Sequence, residues 1–145
     1  MPGVPKLPDV TRFGLALDGQ EIAQFSELVS ISYEVDAVEF REGGDADHVR
    51  LLPGKSKPPT LVLQRPLTSG LELWAWHDAV RAGDITAYRK SITLVMYDSA
   101  GKPVVRYHLE HAWPSKVEVH AVEGSPKKLL ERLTLTCEAL QRVQA

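Results

Sequence analysis

Residues 91–122 read SITLVMYDSAGKPVVRYHLEHAWPSKVEVHAV, and this stretch decides the fold that we expect for the chain. It holds three runs rich in β-branched and aromatic residues, separated by the turn signals Asp98-Ser99-Ala100-Gly101 and Trp113-Pro114. Strands that follow one another through short turns form an antiparallel meander. We therefore expect three adjacent strands, near residues 91–97, 104–112 and 116–122.

The same β pattern extends on both sides of this stretch. Apolar residues alternate with polar or small ones over residues 12–17, directly before the turn dipeptide Asp18-Gly19. Residues 29–37 place apolar side chains on one strand face and polar side chains on the other. The alternation then changes phase, which predicts a bulge near Ala37. Further strands are expected at 60–67 and, after a turn at 123–126, at 127–140.

One helix is expected between these strands, over residues 70–82. Ser69 and Glu72 have the spacing of a capping box, and Gly83 stands at the position just past the helix end. The apolar side chains of this helix repeat at i, i+3 and i+7 and are expected to pack against the sheet: Leu73, Trp76 and Val80. Seven or eight strands with one helix favour an antiparallel β-barrel or sandwich.

Two segments fall outside this pattern. Proline at positions 2, 5 and 8 predicts an extended N-terminal arm over residues 1–11, in front of a single domain at 12–145. Residues 42–59 carry closely spaced glycine and proline, and we expect a long loop there with at most a short strand at 48–52. An arm and a long loop without a partner inside the chain are typical of a protein that contacts another molecule.

Composition excludes several classes of protein. The 145 residues include 17 Lys and Arg against 19 Asp and Glu, a net charge of −2 that argues against nucleic acid or an anionic membrane as the main partner. Cys137 is the single cysteine, so an intrachain disulfide is impossible. No apolar run reaches the roughly 18 residues of a membrane span, and residues 1–10 lack the apolar stretch of a secretion signal. Cytoplasmic synthesis is therefore expected.

The residues carry no recognisable catalytic or metal-binding set. His108 and His111 would point to opposite faces of a strand, so they do not converge on a metal ion. Cys137 shares a strand face with leucines and is expected to behave as a small core residue. Nucleophile-elbow, phosphate-loop and dinucleotide-binding motifs are missing from the sequence. We expect no enzymatic activity, no cofactor and no metal.

The order of several short motifs resembles the tail tube proteins of contractile phages and contractile injection systems. The resemblance runs over most of the chain and rests on the combination of these pieces, not on any one of them. They are Phe13–Gly19 followed by Phe25, Arg41-Glu42-Gly43-Gly44, Leu52-Pro53-Gly54-Lys55, Thr60-Leu61-Val62-Leu63, Leu73 with Trp76, Ile92–Gly101, and Ala112-Trp113-Pro114-Ser115-Lys116.

The resemblance implies a mainly β fold, an antiparallel barrel flanked by one α-helix and similar to the type VI secretion tube protein. It implies that six copies form a ring and that rings stack into a hollow tube. The implied partners are other copies of the chain, sheath and baseplate proteins, and protein effectors carried in the lumen. Nucleic acid and membrane insertion are not required. The implied location is a phage tail-like particle, released or membrane-attached.

The resemblance also suggests roles for two groups of residues. The candidates for the lumen wall are Ser30, Ser32, Glu34, Asp36, Lys116, Glu118 and His120. Besides the N-terminal arm, the candidates for contacts between rings or subunits are Arg41, Glu42, Gly43, Gly44, Asp45, Pro53, Gly54, Lys55 and Lys57.

Three alternatives remain open at this point. The chain could be a specialised initiator or terminator of such a tube. It could instead be a monomeric barrel that binds a small ligand in an apolar cavity, or a small hydrolase whose His and carboxylate groups meet only after folding.

Overall fold

The structure, a computed structural model, describes residue 3, residues 7–41, residue 43, and residues 49–124 and 128–145. Within these ranges the chain forms ten strands and two helices. The strands are β1 Arg12–Leu17, β2 Gln20–Phe25, β3 Glu27–Ser32, β4 Val35–Phe40, β5 Arg50–Ser56, β6 Thr60–Pro66, β7 Lys90–Tyr97, β8 Pro103–Val122, β9 Lys128–Thr136 and β10 Ala139–Val143. The helices are α1 Glu72–Arg81 and α2 Ile85–Tyr88.

Eight strands form one antiparallel sheet in the order β2-β1-β7-β8-β9-β6-β3, with β10 also paired to β8. The order begins with β2 and ends with β3, and these two strands are joined by Ser26 alone. Because the ends of the sheet must meet at this residue, the sheet curls around the core as a barrel does. The backbone N–H of Ser26 donates to the carbonyl of Gln64, 3.2 Å away. The prediction of a mainly β, antiparallel fold with one main helix is confirmed.

Strand β8 is 20 residues long and pairs with different strands along its two halves. We call the curled sheet the shell; one half surrounds the first part of β8 and the other half surrounds its second part. The first half of β8 pairs with β7 and β10, and the second half of β8 pairs with β9. His111 has a positive φ of 51° between the two halves, and the pairing with β9 slips between Pro114 and Lys116. The prediction of a turn at Trp113-Pro114 is wrong, because the strand continues through a bend. Proline is tolerated there because a bulge leaves one backbone N–H without a ladder partner.

The core lies between the two halves of the shell and consists largely of leucine. Seven of its leucine side chains are fully buried: Leu15, Leu61, Leu63, Leu94, Leu109, Leu133 and Leu135. From α1, which packs against β8, Leu73 and Trp76 are buried and Val80 is half-buried. Cys137 is buried as a small core residue, and desolvation raises the pKa of its thiol to about 11.

The start of α1 differs from the prediction. The helix begins at Glu72, its N-cap is Leu71, and no side chain caps it. The expected capping box between Ser69 and Glu72 is therefore wrong. The physical reason is a stronger donor elsewhere, since the Arg65 guanidinium donates to the Glu72 carboxylate at 2.6 Å.

The end of α1 agrees with the prediction. Gly83 has a positive φ of 77°, and its N–H donates to the carbonyl of Val80 at 3.0 Å. The N–H of Asp84 donates to the carbonyl of Ala79 at 3.2 Å. These two bonds form a Schellman motif, which glycine permits at this position. The short helix α2, which the sequence analysis did not predict, follows directly.

The region expected to be a long loop contains a strand. Strands β4 and β5 form a separate two-stranded antiparallel sheet, which we call the hairpin. The expected strand at 29–37 is divided, since β3 ends at Ser32 and β4 begins at Val35. The predicted bulge is confirmed between Val35 and Ala37. The expected short strand at 48–52 is wrong in its bounds, because β5 runs through Pro53-Gly54, which a two-stranded edge tolerates.

Two further boundaries differ. The strand expected at 127–140 is divided into β9 and β10, both of which pair with β8, with Thr136 opposite Trp113 and Ala139 opposite Glu110. Strand β2 was not predicted. Of the arm, residue 3 and residues 7–11 are described, and the N–H of Thr11 donates to the carbonyl of Tyr97 at 2.9 Å. Residues 1, 2, 4–6 and Lys127 lie outside the described residues.

Candidate assembly surfaces

Four strands form a part of the shell with two unpaired edges. We call β3, β6, β9 and residues 113–122 of β8 the open sheet; its strand order is β3-β6-β9-β8. In the part of the chain that the structure describes, no strand pairs with the outer side of β3 or with the outer side of β8 along 113–122. Unpaired edges of this length are templates for pairing with another chain.

The two faces of the open sheet differ in character. One face carries core leucines, such as Leu63 opposite Leu133. The other face, which we call the polar face, carries mostly polar residues, and the registers align them in rows. One row is Ser32, Thr60, Thr136 and Trp113; the next is Ser30, Val62, Thr134 and Lys116; the third is Glu27, Gln64, Arg132 and Glu118.

The charges on the polar face are balanced by contacts between neighbours. Glu118 lies 2.7 Å from Lys116 Nζ and 2.6 Å from His120 Nε2. The hydrogen bond from Lys116 lowers the pKa of Glu118. Arg132 donates to the Gln64 side-chain oxygen at 3.1 Å, and Gln64 donates to Glu27. The face is therefore wet and ion-paired, without a surplus of either sign.

The structure brings together five of the seven residues expected at a lumen wall. All five lie on the polar face of the open sheet: Ser30, Ser32, Lys116, Glu118 and His120. Glu34 and Asp36 lie apart from them, beyond the end of β3. Lys57, which was grouped with the contacts between rings, lies 3.5 Å from Glu34 and 3.4 Å from Asp36. The hydrogen bond with Asp36 raises the pKa of Lys57. These three side chains form the base of the hairpin.

The hairpin is exposed on both faces. After the bulge, one face presents Val38, Phe40 and Leu52, each 45–50% exposed. Among the described residues, β4 and β5 pair only with each other. A two-stranded sheet alone is marginally stable in water. Exposed apolar side chains on such a sheet are typical of a surface that contacts another molecule.

The residues expected to join rings lie on or near the hairpin wherever the structure describes them. Pro53, Gly54 and Lys55 are in β5, and Arg41 and Gly43 follow β4 with exposed positions. Gly54 faces the partner strand closely, since a Cβ atom there would lie 2.6 Å from Val38 Cγ2. Glu42, Gly44 and Asp45 lie outside the described residues.

Three observations on the described residues bear on the alternatives of a ligand-binding barrel and an enzyme. The interior that a ligand would occupy is filled by leucines. The described residues include no cluster of three or more side chains able to hold a metal ion. His111 Nδ1 lies 2.6 Å from Glu138 at the bend of β8, and this hydrogen bond lowers the pKa of Glu138. The helices described here are too short and too polar to cross a membrane.

Open edges on one sheet and an apolar projecting hairpin are features of chains that pair with another molecule. A family model described as T4-like virus tail tube protein gp19 matches residues 9–141. The chain belongs to this family of tail tube proteins. No curated protein sequence matches the chain.

Solved structures share the fold at low sequence identity. A chain in the cap of the anti-feeding prophage is 18% identical, with a TM-score of 0.75 over 99% of this chain and 95% of the other. A chain in the sheath-tube complex of the extracellular contractile injection system PVC is 19% identical, with a TM-score of 0.73 over 98% and 95%. Hcp1 from Flavobacterium johnsoniae is 13% identical, with a TM-score of 0.55 over 92% and 95%.

Proposed function

We propose that the chain is the repeating structural subunit of the inner tube of a contractile injection system or contractile phage tail. Six copies close into a ring, and rings stack around a lumen through which cargo passes. The observation that carries this proposal is the open sheet, whose two unpaired edges belong to β3 and to residues 113–122 of β8.

The directions of the edge strands support ring closure. Neighbouring strands of the open sheet are antiparallel, so β3 and the second half of β8 run in opposite directions across four strands. When copies are related by rotation about one axis, the β3 edge of one copy meets the β8 edge of the next in antiparallel orientation. Such a heterologous contact repeats until the ring closes, and closure leaves no unpaired edge.

The polar face supports the assignment of the lumen wall. In a closed ring one face of the open sheet must turn toward the axis, and the leucine face is already covered by the core of the same chain. The polar face with Ser30, Ser32 and Glu118 therefore lines the lumen. Its paired charges let a polar cargo pass without strong adhesion. Glu34 and Asp36 stand at the end of this wall, beside the base of the hairpin.

The position of the hairpin supports a role in contacts between stacked rings. It projects from one end of the open sheet and exposes apolar side chains there. Further partners follow from the assembly: sheath protein outside the tube, baseplate protein at its end, and protein effectors as cargo. We also propose synthesis and assembly in the cytoplasm, within a phage tail-like particle. The proposed role is structural and requires no catalytic activity, cofactor or metal.

Ring formation can be tested by hydrogen exchange combined with microscopy. Light scattering and negative-stain images separate the 16.1 kDa monomer from rings and tubes. In the assembled fraction, amides of residues 27–32 and 113–122 are expected to be protected relative to the monomer, while the paired strand β7 exchanges equally in both. The proposal is contradicted if the protein forms no rings at any concentration and the amides of residues 27–32 and 113–122 stay unprotected.

A further inference from the structure

The unpaired edge of β8 is in line with strand β7. Strand β9 occupies one side of β8 along residues 113–122, and β7 occupies the opposite side along residues 103–112. Lys90, the first residue of β7, lies opposite Ala112, so the unpaired edge begins where β7 begins. A strand of another chain that pairs along residues 113–122 must end there, because β7 fills the place beyond it.

In the proposed ring, the strand that pairs along this edge is β3 of the next copy. Strand β3 runs antiparallel to β8, so its last residue, Ser32, points toward the start of β7. The two residues after Ser32, Tyr33 and Glu34, belong to neither β3 nor β4. The chain of one copy therefore leaves the shared sheet beside the residues that precede β7 in its neighbour.

Arg89, directly before β7, has hydrogen-bonding capacity to spare. Its guanidinium lies 3.4 Å from Glu138 Oε1, and 38% of the side chain is exposed. The other carboxylate oxygen of Glu138 lies 2.6 Å from His111 Nδ1, so two basic side chains share one carboxylate. A guanidinium presents five N–H donors in a planar fork, which suits a second carboxylate.

Glu34 has the complementary excess of acceptors. Its side chain is 63% exposed and, within the described residues, forms an ion pair with Lys57 alone. Lys57 also lies 3.4 Å from Asp36, so two carboxylates share one ammonium at the base of the hairpin. The surface at Arg89 thus has too few acceptors, and the surface at Glu34 has too few donors.

Both groups belong to one series of charges at the hairpin end of the open sheet. A cavity of about 320 Å³ at this end has both Lys57 and Glu138 in its lining. From β3 to β8 the charges alternate as Glu34, Lys57, Glu138 and Arg89, negative and positive in turn. In a ring the series continues only if a carboxylate follows Arg89, and the first charge of the next copy is Glu34.

We propose that Arg89 of each copy binds Glu34 of the next copy in the same ring. The inference rests on the proposed function, because it requires β3 of one copy to pair with β8 of another. Arg89 adjoins the β8 edge, so a β3 edge that meets another β3 edge brings no guanidinium to Glu34. The pair therefore selects the contact between unlike edges, which closes a ring, over the contact between like edges, which gives only a dimer.

Complementation between two charge variants tests this contact. Arg89→Glu places two carboxylates together at every contact, and Glu34→Lys places two cations together. Each variant alone is expected to give at least about tenfold fewer rings than the wild type in negative-stain images. An equimolar mixture of the two is expected to form rings again, because alternating copies restore opposite charges at every contact.

Two comparisons distinguish a contact with the next copy from a role inside the chain. Arg81→Glu makes the same change of charge at an exposed arginine of α1, 3.7 Å from Asp78, and is expected to leave ring formation unchanged. A role of Arg89 within its own chain predicts no rescue by mixing, so variants that stay as defective together as apart overturn the inference. Rings from Arg89→Glu as abundant as those of the wild type overturn it as well.

Disulfide formation gives a second test in assembled rings. The test variant carries Glu34→Cys and Arg89→Cys in one chain. Cys137 is 1% exposed and its thiol has a raised pKa of about 11, so it stays unreactive near neutral pH. After oxidation, denaturing electrophoresis is expected to show a ladder of linked copies. Glu34→Cys with Lys102→Cys is the matched control, because Lys102 lies beyond the far end of β7. A missing ladder, or an equal ladder in both variants, overturns the inference.

The outcomes separate this inference from the proposed function. Wild-type rings, together with variants that show neither complementation nor cross-links, overturn the inference alone. Wild-type protein that forms no rings contradicts the proposed function, and the inference with it.

Discussion

Arg65 Nε donates a hydrogen bond to Glu131 Oε1 across 3.0 Å, and both side chains are buried. The same guanidinium contacts Glu72 of α1 at 2.6 Å and the carbonyl of Gln24 at the end of β2 at 3.3 Å. One buried cation therefore joins β6 and β9 to α1 and to β2, which stands at the other end of the strand order. The pair also lies between the buried leucines and the exposed Leu67 and Leu129.

Removing one partner of this pair is expected to destabilise the subunit strongly. Arg65→Met leaves the Glu131 carboxylate buried without its cation, which costs about 3–5 kcal/mol in comparable cases. Arg65→Met with Glu131→Leu is expected to recover much of the loss, because no uncompensated charge remains. Urea unfolding of the unassembled subunit measures both variants. Arg12→Met, which removes a partly exposed pair with Glu21 at 3.0 Å, is the control and is expected to cost about 0–1 kcal/mol. Equal losses in the buried and exposed variants contradict this account.

The Glu72 contact predicts a loss of stability in acid. The hydrogen bond from Arg65 lowers the pKa of Glu72 below its ordinary value of 4.5. A carboxylate with a lowered folded-state pKa stabilises the fold above its unfolded-state pKa, and that contribution disappears as the pH falls through the folded-state pKa. The midpoint temperature of thermal unfolding is expected to fall less steeply between pH 7 and pH 3 for Glu72→Gln than for the wild type. In an Arg65→Met background Glu72→Gln should change the slope little, and an equal change in both backgrounds argues against the contact.

Much of the fold could be predicted because its strands alternate regularly around one core. The strand expected at 91–97 lies within one residue of its bounds, the strand expected at 104–112 begins within one residue of its expected start, and Gly83 ends the helix as expected. The hairpin could not be predicted in the same way. Both of its faces are exposed, so β5 shows no alternation of apolar and polar residues, and Pro53-Gly54 has the composition of a turn.

The sequence alone could not predict which charges pair in the core or where the core ends, because both depend on how distant strands align. Arg65 and Glu131 are paired across strands that are far apart in sequence. A signal for them was present, since each charge falls on the leucine face of its strand, after Leu63 and before Leu133. The pattern does not show where the core ends, so it cannot distinguish the exposed Leu129 from the buried Leu133.

Lumen residues are expected to be shielded from large reagents only after assembly. Ser32→Cys is nearly isosteric, and Ser32 is exposed on the polar face of the open sheet. A maleimide on a bulky polymer is expected to label this variant quickly as a monomer and slowly in tubes, whereas a small maleimide labels both. Asp78→Cys, on the exposed side of α1, is the control for the outer surface and should react in both forms. Rapid labelling of Ser32→Cys by the bulky reagent in intact tubes argues against the lumen assignment.

Gly54→Ala is expected to impair stacking by distorting the hairpin. A Cβ atom at this position would lie 2.6 Å from Val38 Cγ2 and 3.1 Å from the carbonyl of Asp36, so the two strands must move apart. The subunit should stay soluble and form rings, because the open sheet is not touched, but images should show fewer and shorter tubes. Gly43→Ala is the matched variant, since a Cβ atom there meets nothing within 4 Å among the described residues. A loss of stacking in Gly43→Ala therefore reports a contact with the neighbouring ring, while normal tubes from Gly54→Ala contradict the role of the hairpin.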